Sequence, residues 1–257
     1  MKLLSIARDL QRRKARDKTQ RFVAEGVRSV ESLLDSPLKI TGILTVARLA
    51  DDVRGLAILA RAEQNNIPIL QVTEAEFASS ANTDTPQGVL AVAEIPNAFL
   101  APAEGVRRYL VLDGVQDPGN VGTIIRTALA FGVGATVCLP GTVDVWNAKV
   151  VRSTMGALFR HPVVAMTGAG FGEFCQAHKV ECWAADTEGT SLHLVTDVPD
   201  RLALVVSNEG AGLSTDAAVL ATKRVAIPMA PGVESLNVAV ATGILLHALR
   251  ITPRAQL

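Results

Sequence analysis

From Tyr109 onward the chain alternates short, β-branched runs with longer runs of helical spacing, and this alternation limits the possible folds more than any other feature. "YLVLD", "ATVCLP", "PVVAM", "VECWAAD", "LALVVS" and "RVAIP" read as strands. Among them "NVGTIIRTALAFG", ending at Gly132, then "NAKVVRSTMGALFR", "GFGEFCQAH", a short helix capped by Ser214 or Thr215, and the last segment to Arg250 read as helices. A strand can rejoin its neighbour in parallel only through a long crossover, and a helix supplies one. The pattern therefore predicts an α/β fold with a mostly parallel sheet and helices on both faces.

Residues 21–95 show the same mixture on a smaller scale. "RFVAEGVRSVESLLDS" has helical apolar spacing, whereas "ITGILTV", "IPILQVT" and "GVLAVAEI" are strand-like. A chain of 257 residues accommodates two modest domains. The expected division is a small α/β domain over 1–96, a linker over 97–107 within "PNAFLAPAEGVR", and a larger domain over 108–257. Aromatic residues are only 4% of the chain, so Ala, Val, Leu and Ile must supply most of the core.

Basic and acidic residues balance at 25 each, so net charge argues neither for nor against nucleic acid. Their distribution does speak. "ARDLQRRKARDKTQR" holds Arg8, Arg12, Arg13, Lys14, Arg16, Lys18 and Arg21 against Asp9 and Asp17, a cluster able to neutralise phosphates or, equally, to form a solvated helix face. Three cysteines without metal spacing point to a reducing compartment, and the cytoplasm is the expected location. The apolar stretch near the C-terminus is too short to span a bilayer and carries Asn237 and Thr242. No P-loop, HExxH, GxSxG or CxxC pattern occurs, no metal is expected, and His161, followed by Pro162, reads as structural.

Three stretches follow predicted strands, where parallel sheets collect ligands. In "LDGVQDPGNVGTIIRTALAFG", Asn120 stands where a helix N-cap belongs, and Arg126 sits in an apolar helix, a costly place unless it reaches an anion or the protein surface. This turn lacks GxGxxG, which argues against a nicotinamide-dependent dehydrogenase. In "LALVVSNEGAGLS", a strand runs into Ser207, Asn208 and Glu209 beside two glycines, either a ligand site or an ordinary polar turn. In "IPMAPGVESLNVAVATG", Pro228, Pro231 and Gly232 forbid regular structure while Ile227, Met229, Val233 and Leu236 are apolar. A buried irregular loop needs partners for its N–H and C=O groups, and a heterocycle such as adenine would satisfy both the polar and the apolar demand. The helix that follows is apolar all round and is expected to be buried, against its own domain or a twin subunit.

In this order and spacing, "NVGTIIRTALAFG", "VVSNEGAGLS" and "IPMAPGVESLNVAVATG" resemble the three motifs of the SpoU/TrmH family, RNA ribose 2′-O-methyltransferases of the SPOUT class. "FVAEGVRSVESLL" and "TDTPQGVLAVAEI" resemble the family's RNA-binding extension, so the likeness spans nearly the whole chain. It implies an S-adenosylmethionine-dependent enzyme, a homodimer with no membrane partner, and a deep trefoil knot in the C-terminal domain. Topology rules alone would have excluded the knot.

Residue by residue, the resemblance implies that Ser207, Gly210, Ile227, Met229 and Leu236 hold the cofactor through backbone groups. Asn120, Arg126, Glu209, Ser235 and Asn237 match its polar active-site positions. Arg8, Arg12, Arg13, Lys14, Arg21 and Arg152 are the RNA-contact candidates. Arg126 would act as a base or as an electrostatic clamp, and a guanidinium with a pKa above about 12 favours the clamp. Structured RNA is the implied substrate, with large-subunit ribosomal RNA favoured and transfer RNA the alternative. A non-catalytic RNA-binding assembly factor on the same fold is the competing reading of another class.

Overall fold

The computed structural model describes residues 2–100, 108–208 and 210–249. The chain divides into two compact units, Met1–Asn97 with Asp144–Arg160, and Ala98–Val143 with His161–Leu257. Residues 144–160, expected within the larger domain, thus pack with the first unit.

Gly26 corrects the reading of "RFVAEGVRSVESLLDS" as one helix. Its φ of +95° is open to glycine and breaks the run into a strand and a helix. In chain order the first unit holds α1 (Lys2–Asp9), α2 (Arg13–Thr19), β1 (Arg21–Glu25), α3 (Val27–Leu34), β2 (Ile40–Thr45), α4 (Val53–Gln64), β3 (Ile69–Gln71), α5 (Glu74–Ala78) and β4 (Val89–Glu94). The sheet order is β1-β4-β2-β3, with β4 antiparallel to both neighbours and β2–β3 parallel. The two-residue period of β1 sends neighbouring side chains to opposite faces. Val23 joins Leu4, Ala7, Leu44, Phe77, Leu90 and Val92 in one cluster. Phe22 instead meets Trp146 and Phe159, at ring-centroid distances of 4.6 and 5.7 Å. Residues 144–160 therefore cover the face of β1 that the N-terminal helices leave open.

The second unit holds β5 (Arg108–Asp113), α6 (Pro118–Ala130), β6 (Ala135–Cys138), β7 (Val163–Ala165), α8 (Gly168–His178), β8 (Glu181–Ser191), β9 (Leu202–Ser207), α9 (Thr215–Leu220), β10 (Lys223–Ala226) and α10 (Val238–Ala248). The remaining helix, α7 (Ala148–Ser153), belongs to the first unit; it is shorter than "NAKVVRSTMGALFR" suggests because the chain turns at Met155 and Gly156, both at positive φ. Six strands form one parallel sheet in the order β10-β8-β9-β5-β6-β7. Tyr109, Val111, Val137, Ala203 and Val205 pack on one face with Phe171, Phe174 and Ala217. The alternate positions Leu110, Leu112 and Leu204 are equally buried on the other face. Each strand therefore reads as a continuous apolar run, as two-sided burial requires.

The order places β5 at the centre, with later strands laid to either side. The switch point falls between the carboxyl ends of β5 and β9, where Asp113 is in register with Ser207. A crevice at such a point is where open α/β sheets bind ligands.

Candidate active site

Two buried-strand ends build the floor of the site. Asp113 is buried, and its carboxylate accepts a hydrogen bond from the Ser214 N–H at 2.7 Å while its carbonyl accepts the Asn208 N–H at 3.2 Å. The side chain of Asn208 then accepts the N–H groups of Gly210 and Ala211, at 2.9 and 3.2 Å. A polar turn thus folds around a carboxylate that sequence reasoning passed over. The signal was present: an aspartate closing the all-apolar strand "YLVL".

Beside this turn lies a cavity of about 200 Å³, lined among others by Ser207, Asn208, Gly212, Leu213, Ile227, Met229, Ser235 and Leu236. The stretch from Ile227 to Leu236 is irregular, as its prolines require, and half-buried at Ile227, Met229 and Leu236. Pro228, Ala230 and Val233 face outward instead, so the apolar character of Val233 does not belong to the pocket. Among the described residues this stretch makes one backbone–backbone hydrogen bond, Val233 N–H to Ala230 C=O at 3.2 Å. Its other amides and carbonyls have no backbone partner among the described residues. The cavity wall is completed by Val238, Ala241 and Leu245 of α10 and by Ala185, Asp186 and Thr187 of β8. Asp186 is engaged by Arg224 at 2.9 Å.

The polar residues assemble at the start of two helices. Asp117, not Asn120, is the N-cap of α6: its side chain accepts the Asn120 N–H at 2.7 Å, and Pro118 occupies the first turn, where its missing N–H costs nothing. That correction frees the Asn120 side chain. Its Oδ1 accepts a hydrogen bond from Asn237 Nδ2 at 2.9 Å, across 117 positions of sequence. Asn237 caps α10 with its other atom, Oδ1 accepting the N–H groups of Ala239 and Val240 at 3.0 and 3.3 Å. One side chain therefore ends the ligand loop, starts α10 and joins the first motif to the third.

Arg126 lies on the solvent side of α6, opposite Val121, Ile124, Ile125 and Ala128. The expected burial cost does not arise, and Arg126 has no ion-pair partner among the described residues. Ser235 lines the cavity and is exposed. Gly210 does not line it, and its N–H is taken by Asn208. Glu209 lies outside the described residues.

The basic cluster is less free than its sequence implies. Arg16 is buried; its Nε and Nη2 both donate to Asp144 Oδ2, at 2.8 and 2.6 Å, and its Nη1 donates to the carbonyls of Leu10 and Gln11. Arg12 pairs with Asp9, Arg13 approaches Asp17 at 3.7 Å, and Arg8 donates to Ser79 Oγ at 2.7 Å. Lys14 is exposed, Arg21 half-buried, and Arg152 exposed on α7. His161 is structural as expected: it is buried, 2.7 Å from Thr136 Oγ1, and burial lowers its pKa to about 4. Among the described residues no three metal-ligating side chains cluster, and no helix is long and apolar enough to cross a membrane.

This constellation can be compared with known proteins. The model of the SpoU rRNA methylase family matches residues 107–247, and that of the MRM3-like substrate binding domain matches residues 5–91. The 23S rRNA (guanosine(2553)-2′-O)-methyltransferase RlmP of Bacillus subtilis (strain 168) is 37% identical over 243 residues, covering 94% of this chain and 93% of its own. The chain belongs to the SpoU rRNA methylase family. A 23S rRNA (uridine(2479)-2′-O)-methyltransferase of Streptomyces viridochromogenes is 30% identical, with 93% of this chain and 85% of that protein covered. The AdoMet-bound rRNA methyltransferase of Sinorhizobium meliloti superposes with a TM-score of 0.83 at 31% identity, covering 99% of this chain and 95% of that one. This SpoU methylase is an S-adenosylmethionine-dependent RNA ribose 2′-O-methyltransferase, and the cavity beside the irregular loop, with polar and apolar lining, fits an adenosyl group.

Proposed function

We propose that this chain methylates a ribose 2′-hydroxyl of large-subunit ribosomal RNA, in the cytoplasm, as a homodimer whose C-terminal segment carries a deep trefoil knot. The observation that carries the reading is the Asn237–Asn120 hydrogen bond, which joins the first motif to the third next to a cavity lined by Leu236 and Val238, the neighbours of Asn237, and by a loop with a single backbone–backbone hydrogen bond among the described residues. The 23S rRNA specificity that its relatives' names carry supports the RNA class. Leu129, Phe131, Val240 and Ile244 leave apolar surface exposed on and beside the packed helices α6 and α10, which supports a second copy there. Three cysteines, all buried within the fold, support a reducing compartment. Family membership supports the knot.

When bound, S-adenosylmethionine supplies the methyl group in activated form on its sulfonium. The chain's own residues position and stabilise. Main-chain groups of Ile227, Met229 and Leu236, with Ser207, hold the adenosyl moiety. Arg126, exposed and without a carboxylate partner among the described residues, clamps the phosphate next to the target ribose and steadies the oxygen as it loses its proton. Asn120, Asn237 and Ser235 orient the hydroxyl in line, and Glu209 steadies this polar set.

Incubating the protein with S-adenosylmethionine and large-subunit ribosomal RNA, then mapping methylated nucleosides by mass spectrometry, tests the reading. One 2′-O-methylated ribose is expected. Base methylation, or modification of transfer RNA alone, overturns it. For the clamp, Arg126→Lys keeps the charge and loses the planar fork. A fall in turnover of about tenfold or more with unchanged cofactor affinity is expected, and a wild-type rate removes Arg126 from the chemistry.

A further inference from the structure

The first unit contains a second cavity, of about 540 Å³, at the start of α3. Arg28, Ser29, Gln87 and Thr85 line it, and Arg152 and Met155 close it from the 144–160 segment. Apart from Gly26 and Met155, its lining residues are polar or charged.

The groups that face it are unusually uncommitted. At the start of α3 the Gly26 N–H bonds to Val89 C=O at 2.9 Å, and the Val27 N–H bonds to Gln87 Oε1 at 2.9 Å. The next two amides, of Arg28 and Ser29, have no hydrogen-bond partner among the described residues. They are the orphan donors of a helix N-terminus, where the macrodipole favours an anion. Ser29 supplies an independent observation. It is only 8% exposed, and its Oγ is a buried side-chain polar atom without a hydrogen-bond partner. Leaving such a hydroxyl unpaired costs roughly 1–3 kcal/mol, so a native fold that keeps it there has a reason to.

The charges point the same way. The carboxylates lining the cavity are both engaged: Glu25 accepts the Asn82 N–H at 2.7 Å and the Thr83 hydroxyl, and Glu31 is held by Arg54 through Nε at 2.8 Å and Nη2. Arg28 and Arg152 form no ion pair among the described residues. The two guanidinium groups, the two helix-start amides and the buried hydroxyl all belong to residues that line this one cavity. Three arginines (Arg28, Arg54 and Arg152) outnumber the two carboxylates of the lining, and that donor set matches a phosphate's several oxygens.

We propose that this cavity is a phosphodiester-binding subsite for the RNA substrate, formed by the Arg28 and Ser29 amides, the Ser29 hydroxyl and the guanidinium groups of Arg28 and Arg152. The site lies apart in sequence from the basic stretch Arg8–Arg21, whose arginines are largely committed to other partners. Identifying the phosphate as RNA rests on the functional reading above; the anion site itself does not.

The test uses the full-length protein in two arms. In the first, inorganic phosphate is titrated and amide resonances are followed by NMR. A saturable shift at Arg28 and Ser29 that Arg28→Gln/Arg152→Gln abolishes is expected, and no saturable shift there overturns the anion site. In the second, protein-free large-subunit ribosomal RNA is the probe. The double variant is expected to bind it about tenfold to a hundredfold more weakly, with the slope of log K against log salt reduced by about one. Ser29→Ala, which removes an unpaired hydroxyl, is expected to weaken binding several-fold while leaving the melting temperature unchanged or raised. Equal affinity and slope in the double variant overturn the RNA assignment. If the wild-type protein itself fails to bind this RNA, the functional reading fails, and the phosphate titration alone decides the cavity.

Discussion

Asn237 shows how much one side chain can carry. Its oxygen caps α10 and its nitrogen holds Asn120, so the two roles separate by chemistry. Asn237→Asp keeps a good N-cap and loses the donor. Turnover is expected to fall by about tenfold or more with little change in melting temperature, whereas Asn237→Ala also loses the cap, worth about 1 kcal/mol. Equal kinetics for wild type and Asn237→Asp would exclude the pair from the active site. His161 makes a different kind of prediction. Burial holds its pKa near 4, below the ordinary 6.5, so between these values the unfolded chain takes up a proton that the fold refuses. Its contribution to stability is therefore complete above about pH 6.5 and lost progressively as pH falls toward 4, by about 3 kcal/mol in all. Denaturation curves across this window should show the loss in wild type and a flatter profile in His161→Gln.

At the scale of elements, periodicity was informative where one face was solvated and misleading where a single glycine intervened. The spacing of α6 is legible because Val121, Ile124, Ile125 and Ala128 alternate with exposed positions. By contrast, "RFVAEGVRSVESLLDS" keeps its apolar spacing through Gly26, and only the backbone reversal at φ +95° separates β1 from α3. The final helix, expected to be buried against its own domain or a twin subunit, buries one face within this chain. Val238, Ala239, Thr242, Leu245 and Leu246 are buried in α10, while Val240 and Ile244 are exposed. The Arg16–Asp144 bond joins α2 to the segment that leads into α7, with both side chains largely removed from solvent. Breaking such a pair from one side strands the other charge. Asp144→Ala or Arg16→Ala is expected to destabilise the protein by about 3–5 kcal/mol, as read from chemical denaturation. A loss below about 1 kcal/mol would show the pair to be solvated.

For the whole molecule, the consequential surface is the apolar one that α6 and α10 leave open. Val240 is 53% exposed in the first turn of α10, and Ile244 follows one turn later. A second copy on this surface would bury them. Val240→Asp is expected to convert a dimer to monomers in analytical ultracentrifugation; a wild-type protein already monomeric at micromolar concentration would overturn the homodimer. Committing α10 twice, to the cavity through Ala241 and Leu245 and to the outer surface through Val240 and Ile244, would couple assembly to cofactor affinity.

The alternation of strands and helices, and the three loop motifs at strand ends, were decided by local chemistry that sequence displays directly. Two-sided apolar runs mark parallel strands, and proline with glycine marks the ligand loop. What only the tertiary structure decided concerns partners distant along the chain. Asn120 and Asn237 meet across 117 positions, Arg16 is withdrawn from the basic cluster by Asp144, and residues 144–160 join the first unit. Sequence specifies which groups need a partner. Which partner each one finds depends on the order in which strands enter the sheet, and no local period encodes that order.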